Sequence, residues 1–175
     1  MISKQGSTSA EWKAVVSSAS GAVGLVVAAS PGMEEYTTIT YHPSNHTLLV
    51  NRLHSSNIVE FNNATVTGYF YPYTIKAKDG STSKEPITLN VFLDGSLLEV
   101  YVNDRFALAT RIYPSLSCST GYGVYVEDGF EATFSSIEAW EGLKHVWTDR
   151  PLDSSSPLVF DTVAETNNYT WWSGN

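Results

Sequence analysis

Residues 87–114 alternate apolar and polar side chains in three short runs that are separated by two turn sequences. Because successive side chains of a strand point to opposite faces, this alternation places one face of each run in a core. The first turn, Asp94-Gly95-Ser96, contains a glycine, which adopts positive φ without strain. The second turn is Asn103-Asp104-Arg105. The region is therefore predicted to be an antiparallel β-meander, with core-facing residues Ile87, Leu89, Val91 and Leu93 in the first run and Leu98, Val100 and Val102 in the second.

The rest of the chain continues this organisation. It reads as about ten short strands with turn sequences roughly every 8–12 residues, which is the spacing of a β-sandwich. No segment shows helical periodicity, and a hydrophobic fraction of 42% with 16% charged residues argues against disorder. The prediction is an all-β protein with a two-layer antiparallel β-sandwich of the concanavalin-like or jelly-roll type. Residues 1–142 form the sandwich module, and residues 143–175 form a C-terminal extension with a Ser- and Pro-containing, linker-like patch.

The meander also carries a family resemblance. The pattern D-G-S-x-x-E-V-Y-V-N-D, followed by R-I-Y-P, resembles a signature of the C-terminal β-sandwich of glycoside hydrolase family 32, which includes invertases, inulinases and fructosyltransferases. The chain departs from the family at Asn51, where an acidic residue commonly precedes the arginine, here Arg52. The resemblance implies a secreted, fungal parent enzyme acting on sucrose or fructans. Its matched positions, interpreted as structural, include Asp94, Ser96, Glu99, Asn103 and Arg111.

The motifs that carry catalysis in that family do not occur in this sequence. By resemblance, the family uses two carboxylates on an N-terminal five-bladed propeller, in motifs like N-D-P-N-G, R-D-P and E-C. Here Asn103-Asp104 is followed by Arg105, and Cys118 follows Ser117. The resemblance therefore implies that this chain is part of a glycosidase of the β-fructofuranosidase type. The chain is expected to contain no catalytic residue and to be inactive alone. The resemblance implies a non-catalytic module that supports the propeller and helps subunits associate.

Asp94 and Glu99 flank a turn and are the candidate pair for the two catalytic carboxylates of a retaining glycosidase. Such enzymes need two carboxyl groups about 5–5.5 Å apart. A solvent-facing hairpin does not provide the partly dry cleft that shifts a carboxyl pKa. The favoured interpretation is structural: Asp94 accepts backbone N–H bonds in its turn, and Glu99 pairs with a base such as Arg111.

Tyr69, Tyr71 and Tyr73 alternate along one predicted strand. Exposed, such a row would stack on sugar rings; buried, it would belong to the core or to a seam against another domain. Because aromatic side chains bury large areas, core or seam is the favoured interpretation. The alternative function is a free-standing, lectin-like module that binds fructan or a related carbohydrate through these rings.

Composition and charge limit the partners. A net charge of −8 and a pI near 4.8 disfavour nucleic acid, which needs clustered basic residues. The longest apolar run, 23–29, is far shorter than the roughly 20 residues of a membrane span. The four histidines have no metal-ligand spacing, so neither a metal nor a cofactor is predicted. The expected partners are a catalytic propeller domain or a second copy of the chain, and a fructan- or sucrose-type carbohydrate.

Three N-glycosylation sequons occur, at Asn45, Asn63 and Asn168. The first residues of the chain contain no apolar segment of a secretory signal peptide. Together with the resemblance, the sequons lead to the expectation of an extracellular, glycosylated protein whose signal belongs to an upstream domain.

Overall fold

The computed structural model describes residues 8–58, 60–61 and 64–143 of the 175-residue chain. All of these belong to the first of two compact units, Met1–Lys144; the second, His145–Asn175, lies outside the described residues. The predicted division into residues 1–142 and an extension from 143 therefore stays a prediction. All regular secondary structure in the described residues is β-strand. These residues contain no helix that is long and apolar enough to cross a membrane. The strands are β1 (Ser9–Ala19), β2 (Val23–Ala29), β3 (Tyr36–His42), β4 (Thr47–His54), β5 (Val66–Tyr69), β6 (Thr74–Lys76), β7 (Thr82–Lys84), β8 (Ile87–Asp94), β9 (Leu97–Val102), β10 (Phe106–Arg111), β11 (Gly121–Val126) and β12 (Ala132–Glu141).

The strands form two five-stranded antiparallel sheets. The first sheet has the order β10-β9-β8-β1-β12, and the second has the order β11-β2-β3-β4-β5. The β6–β7 hairpin is a separate two-stranded sheet. One core cluster joins side chains of both sheets, such as Val91 and Val100 of the first with Leu25 and Ile39 of the second. The all-β sandwich prediction is confirmed, with twelve strands in the described chain instead of about ten.

The alternation of residues 87–102 builds the centre of the first sheet as predicted. The seven residues that were expected in the core are buried, and their neighbours in sequence face outward. The second sheet contributes β2, in which every residue is buried. Gly24 is required there, because a Cβ at this position would lie 1.9 Å from the carbonyl oxygen of Ile39 on the neighbouring strand.

Both turns of the meander contain residues at positive φ, which the sequence predicted for the glycine of the first turn. Gly95 has φ of 58°, and Asn103 and Asp104 have φ of 48° and 54°. The Asn103 side chain also fixes its turn: Oδ1 accepts the Thr88 N–H at 2.7 Å, and Nδ2 donates to the Pro86 carbonyl at 2.9 Å. Asn tolerates the left-handed region better than most residues, so one side chain serves the turn and the ladder together.

Candidate functional site

The motif residues of the meander hold the first turn together, but not through the predicted contacts. The Arg111 guanidinium donates to Ser96 Oγ at 2.7 Å, and in the described chain it does not pair with Glu99. The Gly95 N–H donates to the Thr8 carbonyl, and no turn N–H of the described residues donates to the Asp94 carboxylate. Both predicted contacts are wrong. Arg111 binds Ser96 instead of Glu99, and the Thr8 carbonyl, just before β1, holds the turn instead of the Asp94 carboxylate.

Asp94 and Glu99 lie on the outer face of the first sheet. Asp94 is opposite Leu97, and Glu99 is opposite Phe92. Glu99 lines a shallow, open depression together with Asn90, Phe92, Tyr101 and Asp104, and Asp94 is outside it. This arrangement offers the two carboxylates no enclosed cleft, which glycosidase chemistry uses to raise the pKa of its general acid.

The three tyrosines Tyr69, Tyr71 and Tyr73 are exposed by 64%, 64% and 63%. The interpretation that they belong to the core is wrong. The strand that was expected to carry them ends at Tyr69, and the chain has no regular structure until Thr74, since Pro72 lacks the N–H that a ladder needs. Of this segment only Phe70 is buried. Whether the tyrosines serve as a seam or as a sugar contact stays a prediction.

Tyr73 is fixed by a cluster that the sequence did not indicate. The Arg105 guanidinium lies 3.9 Å from the centre of the Tyr73 ring and 4.6 Å from that of Phe70. Arg105 forms an ion pair with Glu85, and the Glu85 carboxylate also accepts the Tyr73 N–H at 2.7 Å. The hydrogen bond from Arg105 lowers the pKa of Glu85, so this carboxylate is ionised at neutral pH. The cluster anchors one exposed ring at a defined place.

Tyr71 is placed by His46 in a comparable way. The ring centroids of the two side chains lie 5.0 Å apart. His46 has φ of 57° in the β3–β4 turn, and its Nδ1 is 2.9 Å from the Tyr41 hydroxyl. Burial raises the pKa of Tyr41 to about 12, so the hydroxyl keeps its proton at neutral pH. The imidazole is thus oriented through Nδ1, while Nε2 has no hydrogen-bond partner in the described chain.

A cavity of about 390 Å³ opens between these two clusters. Its volume falls in the range of sites that hold a small-molecule ligand. Apolar residues form part of the lining, and hydroxyl, imidazole and charged groups form the rest. The lining residues are Val16, Ser17, Ser18, Ala19, Val23, Tyr41, Pro43, His46, Pro72, Ser83, Lys84, Glu85 and Ile87.

Glu35 is the most deeply buried ionisable residue of the described chain, with an exposed fraction of 0%. Its Oε1 accepts the Asn57 N–H at 2.7 Å and the Ser115 hydroxyl at 2.5 Å. Its Oε2 accepts the Leu116 N–H at 3.0 Å and the Ser119 hydroxyl at 2.6 Å. Burial raises the pKa of Glu35, but the hydrogen bonds from the two serines and the backbone outweigh it and lower the pKa to about 2. Glu35 is thus a structural anion that holds the loop at Asn57 and the loop at residues 115–119. The sequence around Glu35 does not indicate this role.

Arg52 is a second buried charged residue that is held by hydrogen bonds, as Glu35 is. It follows Asn51, the position at which the sequence departs from the family pattern. The Arg52 side chain is buried, and it donates to the Ala64 carbonyl at 2.7 Å and the Arg111 carbonyl at 2.9 Å. Asn51 Oδ1 accepts the Leu53 N–H at 3.0 Å, so it serves the backbone of its own strand. Backbone carbonyls therefore satisfy Arg52 here.

The described residues contain no group of three or more His, Cys, Asp or Glu side chains that could hold a metal ion. Of the three sequon asparagines, Asn45 is exposed in the β3–β4 turn, whereas Asn63 and Asn168 lie outside the described residues.

Comparisons with known proteins identify the family of this sandwich. Residues 2–141 match the family model described as glycosyl hydrolases family 32 C terminal. Among solved structures, the chain is similar to the fructosyltransferase from A. japonicus, at 26% identity with a TM-score of 0.72 over 82% of this chain, and to the Aspergillus kawachii beta-fructofuranosidase complexed with glycerol, at 27% identity with a TM-score of 0.73 over 85%. The exo-inulinase from Aspergillus awamori shares the fold at 17% identity and a TM-score of 0.63.

The chain spans only about a quarter of these proteins, covering 24%, 26% and 25% of their respective lengths. No curated protein matches it. The family model covers most of the sequence, and the two-sheet fold agrees with it. The chain belongs to the glycosyl hydrolase family 32 C-terminal domain family.

Proposed function

We propose that this chain is a non-catalytic β-sandwich module of a family 32 enzyme that acts on sucrose or fructans. Its role is to support a catalytic propeller and to help subunits associate. The observation that carries the proposal is an apolar side of the sandwich that nothing in the described chain covers.

This open side lies where the edge strands β11 and β12 meet. Val124 is opposite the buried Leu25, and Ile137 is opposite the buried Ala14, so both side chains belong to the inner faces of their sheets. They nevertheless remain exposed by 43% and 45%. Both line one narrow crevice that reaches Trp12. Inner-face residues are normally sealed, so we interpret this side as a contact surface for another domain or subunit.

Edge strands support the same interpretation. In the described chain β12 pairs only with β1, and β11 pairs only with β2, so each offers a free edge. Free edges with apolar flanks associate with other chains unless they are covered. A catalytic domain is the occupant we propose, because the similar proteins are more than three times as long as this chain.

Self-association of the full chain tests the surface. We expect light scattering after size exclusion to show dimers or larger species that increase with concentration. A variant with Val124→Ser and Ile137→Ser should shift toward monomer. Ile75→Ser is the matched control, because Ile75 is exposed by 49% but belongs to the separate β6–β7 hairpin.

A wild-type chain that stays monomeric at every concentration would count against this contact surface. The nucleotide sequence upstream of Met1 gives an independent test of the parent enzyme. We expect an in-frame propeller with the family's carboxylate motifs, and an unrelated upstream sequence would contradict the proposal. Incubated alone with sucrose, the chain should release no glucose above a blank.

The exposed tyrosines favour a second function, carbohydrate binding, since Tyr69, Tyr71 and Tyr73 keep nearly two thirds of their surface in solvent. We also propose that the protein is secreted and glycosylated at Asn45, which is exposed in a turn where a glycan can project into solvent.

A further inference from the structure

We propose that the cavity between His46 and Glu85 binds one sugar unit of a neutral oligosaccharide, and that the exposed ring of Tyr71, which packs against the lining residue His46, stacks on the sugar from beside the cavity. The inference rests on the proposed function only for the choice of fructose-containing probes. The site itself is argued from the lining, the exposed rings and the charges.

The lining suits a polyhydroxylated ring. Val16, Val23 and Ile87 provide an apolar floor, and Ser18 and Ser83 bring hydroxyls that both donate and accept. A sugar unit has the complementary surface, because its C–H groups are apolar and its hydroxyls are polar. Pockets that recognise small ligands combine such an apolar lining with a few placed polar groups.

His46 is the polar group that is best placed to recognise a hydroxyl. The contact between Nδ1 and the Tyr41 hydroxyl fixes the plane of the imidazole. The backbone is fixed as well, since the His46 carbonyl accepts the Phe70 N–H at 2.9 Å. Nε2 is left without a partner among the described residues, and either tautomer of the ring can serve a sugar hydroxyl, as donor or as acceptor.

Tyr71 is exposed by 64%, although it packs against His46. Tyrosine offers a flat, rigid surface at low cost in conformational entropy. Phe70 on one side is buried, and Pro72 on the other lines the cavity, so the ring is carried by a segment anchored on both sides.

The charges of the lining favour a neutral ligand. It contains one ammonium and one carboxylate, and each has a protein partner. Lys84 donates to Thr74 Oγ1 at 2.9 Å, and Glu85 is paired with Arg105. Neither an anionic nor a cationic ligand would find a charge that is free of competition. The hydroxyls and the imidazole therefore dominate recognition.

Nuclear magnetic resonance of the ¹⁵N-labelled full chain tests the site. The protein should come from a bacterial host, because a glycan on Asn45 would lie beside the cavity. The probes are sucrose, 1-kestose and inulin as fructose-containing sugars, maltotriose as a neutral glucan, and fructose 6-phosphate as an anionic sugar. We expect the neutral sugars to shift amide signals of residues 17–19, 44–46 and 83–85.

Three variants test which side chains contribute to the sugar affinity. Tyr71→Ala should weaken binding by about tenfold, because it removes the stacking surface. His46→Asn keeps a residue that tolerates positive φ and removes the imidazole, and it should weaken binding by a similar factor. Tyr69→Ala is the matched control, since Tyr69 has the same exposed fraction but, unlike Tyr71, makes no ring contact with His46 or any other lining residue in the described part of the chain. It should leave the affinity unchanged.

The proposal is overturned if no neutral sugar shifts these signals, if Tyr69→Ala weakens binding as much as Tyr71→Ala, or if fructose 6-phosphate alone binds. Preference for maltotriose over 1-kestose would support the cavity while contradicting a fructan-acting parent. Failure of sugar binding would leave the contact surface of β11 and β12 intact, because Val124 and Ile137 line a different crevice.

Discussion

The buried carboxylate of Glu35 gives the sharpest prediction about stability. Its oxygens accept bonds from Asn57 and from the loop that contains Ser115, Leu116 and Ser119. Glu35→Gln keeps the size of the side chain but removes the charge and one acceptor. The serine hydroxyls can rotate to accept from the new amide, whereas a backbone N–H cannot. At least one buried donor would then face another donor.

The magnitude follows from the lowered pKa. A shift from 4.5 to about 2 corresponds to about 3 kcal/mol of folding free energy at neutral pH. An unsatisfied buried backbone donor costs about 1–3 kcal/mol, which is the same size. We therefore expect Glu35→Gln to lower the free energy of unfolding at neutral pH by about 3 kcal/mol.

The pH dependence has a definite sign. The folded pKa of Glu35 lies below its unfolded value, so the stabilisation is fully present above the ordinary pKa of 4.5. It is lost as the pH falls through the folded pKa of about 2. The difference in stability between the wild type and Glu35→Gln should therefore shrink over that interval.

Urea unfolding followed by tryptophan fluorescence measures both quantities. Glu34→Gln is the matched control: it makes the same chemical change one residue away, at an exposed position, and surface changes of this kind usually stay within about 0.5 kcal/mol. Equal unfolding midpoints for the two variants at neutral pH would refute the anion role. So would a wild-type advantage that persists unchanged from pH 4.5 down to about 2.

Two further predictions follow from the second sheet and its turn. Gly24→Ala should destabilise the chain by about 1–3 kcal/mol or more, because the added methyl group meets the Ile39 carbonyl oxygen at 1.9 Å; thermal unfolding measures the loss, with Gly32→Ala as the control, and equal midpoints would contradict the close approach. Expressed in a eukaryotic secretory host, the chain should carry a glycan on Asn45, and removal by an amidase should reduce its mass, whereas Asn45→Gln should abolish that glycan; an unmodified Asn45 peptide would count against the proposal.

The central meander could be predicted because its pattern is local. Alternation from Ile87 to Val102 assigns each side chain to a face, and a turn with positive φ after each run fixes the pairing. The tyrosine segment was mispredicted because alternation alone does not show where a ladder ends. Pro72 interrupts the pairing, and the three rings remain in solvent.

The side-chain clusters around Glu35, His46 and Arg105 could not be predicted, since their members are distant in sequence. Glu35 contacts Ser115, which is 80 residues further along the chain. His46 meets Tyr71, and Arg105 meets Glu85, only because strand ends converge at one end of the sandwich. Chain composition gives no signal for such convergence. The sandwich fold supplies it, and loop residues then determine the chemistry.

Glu35 and the proposed sugar cavity lie at opposite ends of the same strand. Glu35 directly precedes β3, whereas Tyr41 near its end and His46 after it line the cavity. At about 3.3 Å per residue, β3 separates the two regions by roughly 20 Å. Substitutions this far apart and without shared partners contribute independently. Glu35→Gln should therefore lower stability while leaving sugar affinity unchanged in the folded protein, and Tyr71→Ala should do the reverse. If both variants changed both properties, the two ends would be energetically coupled, and neither cluster could be assigned its role from local contacts alone.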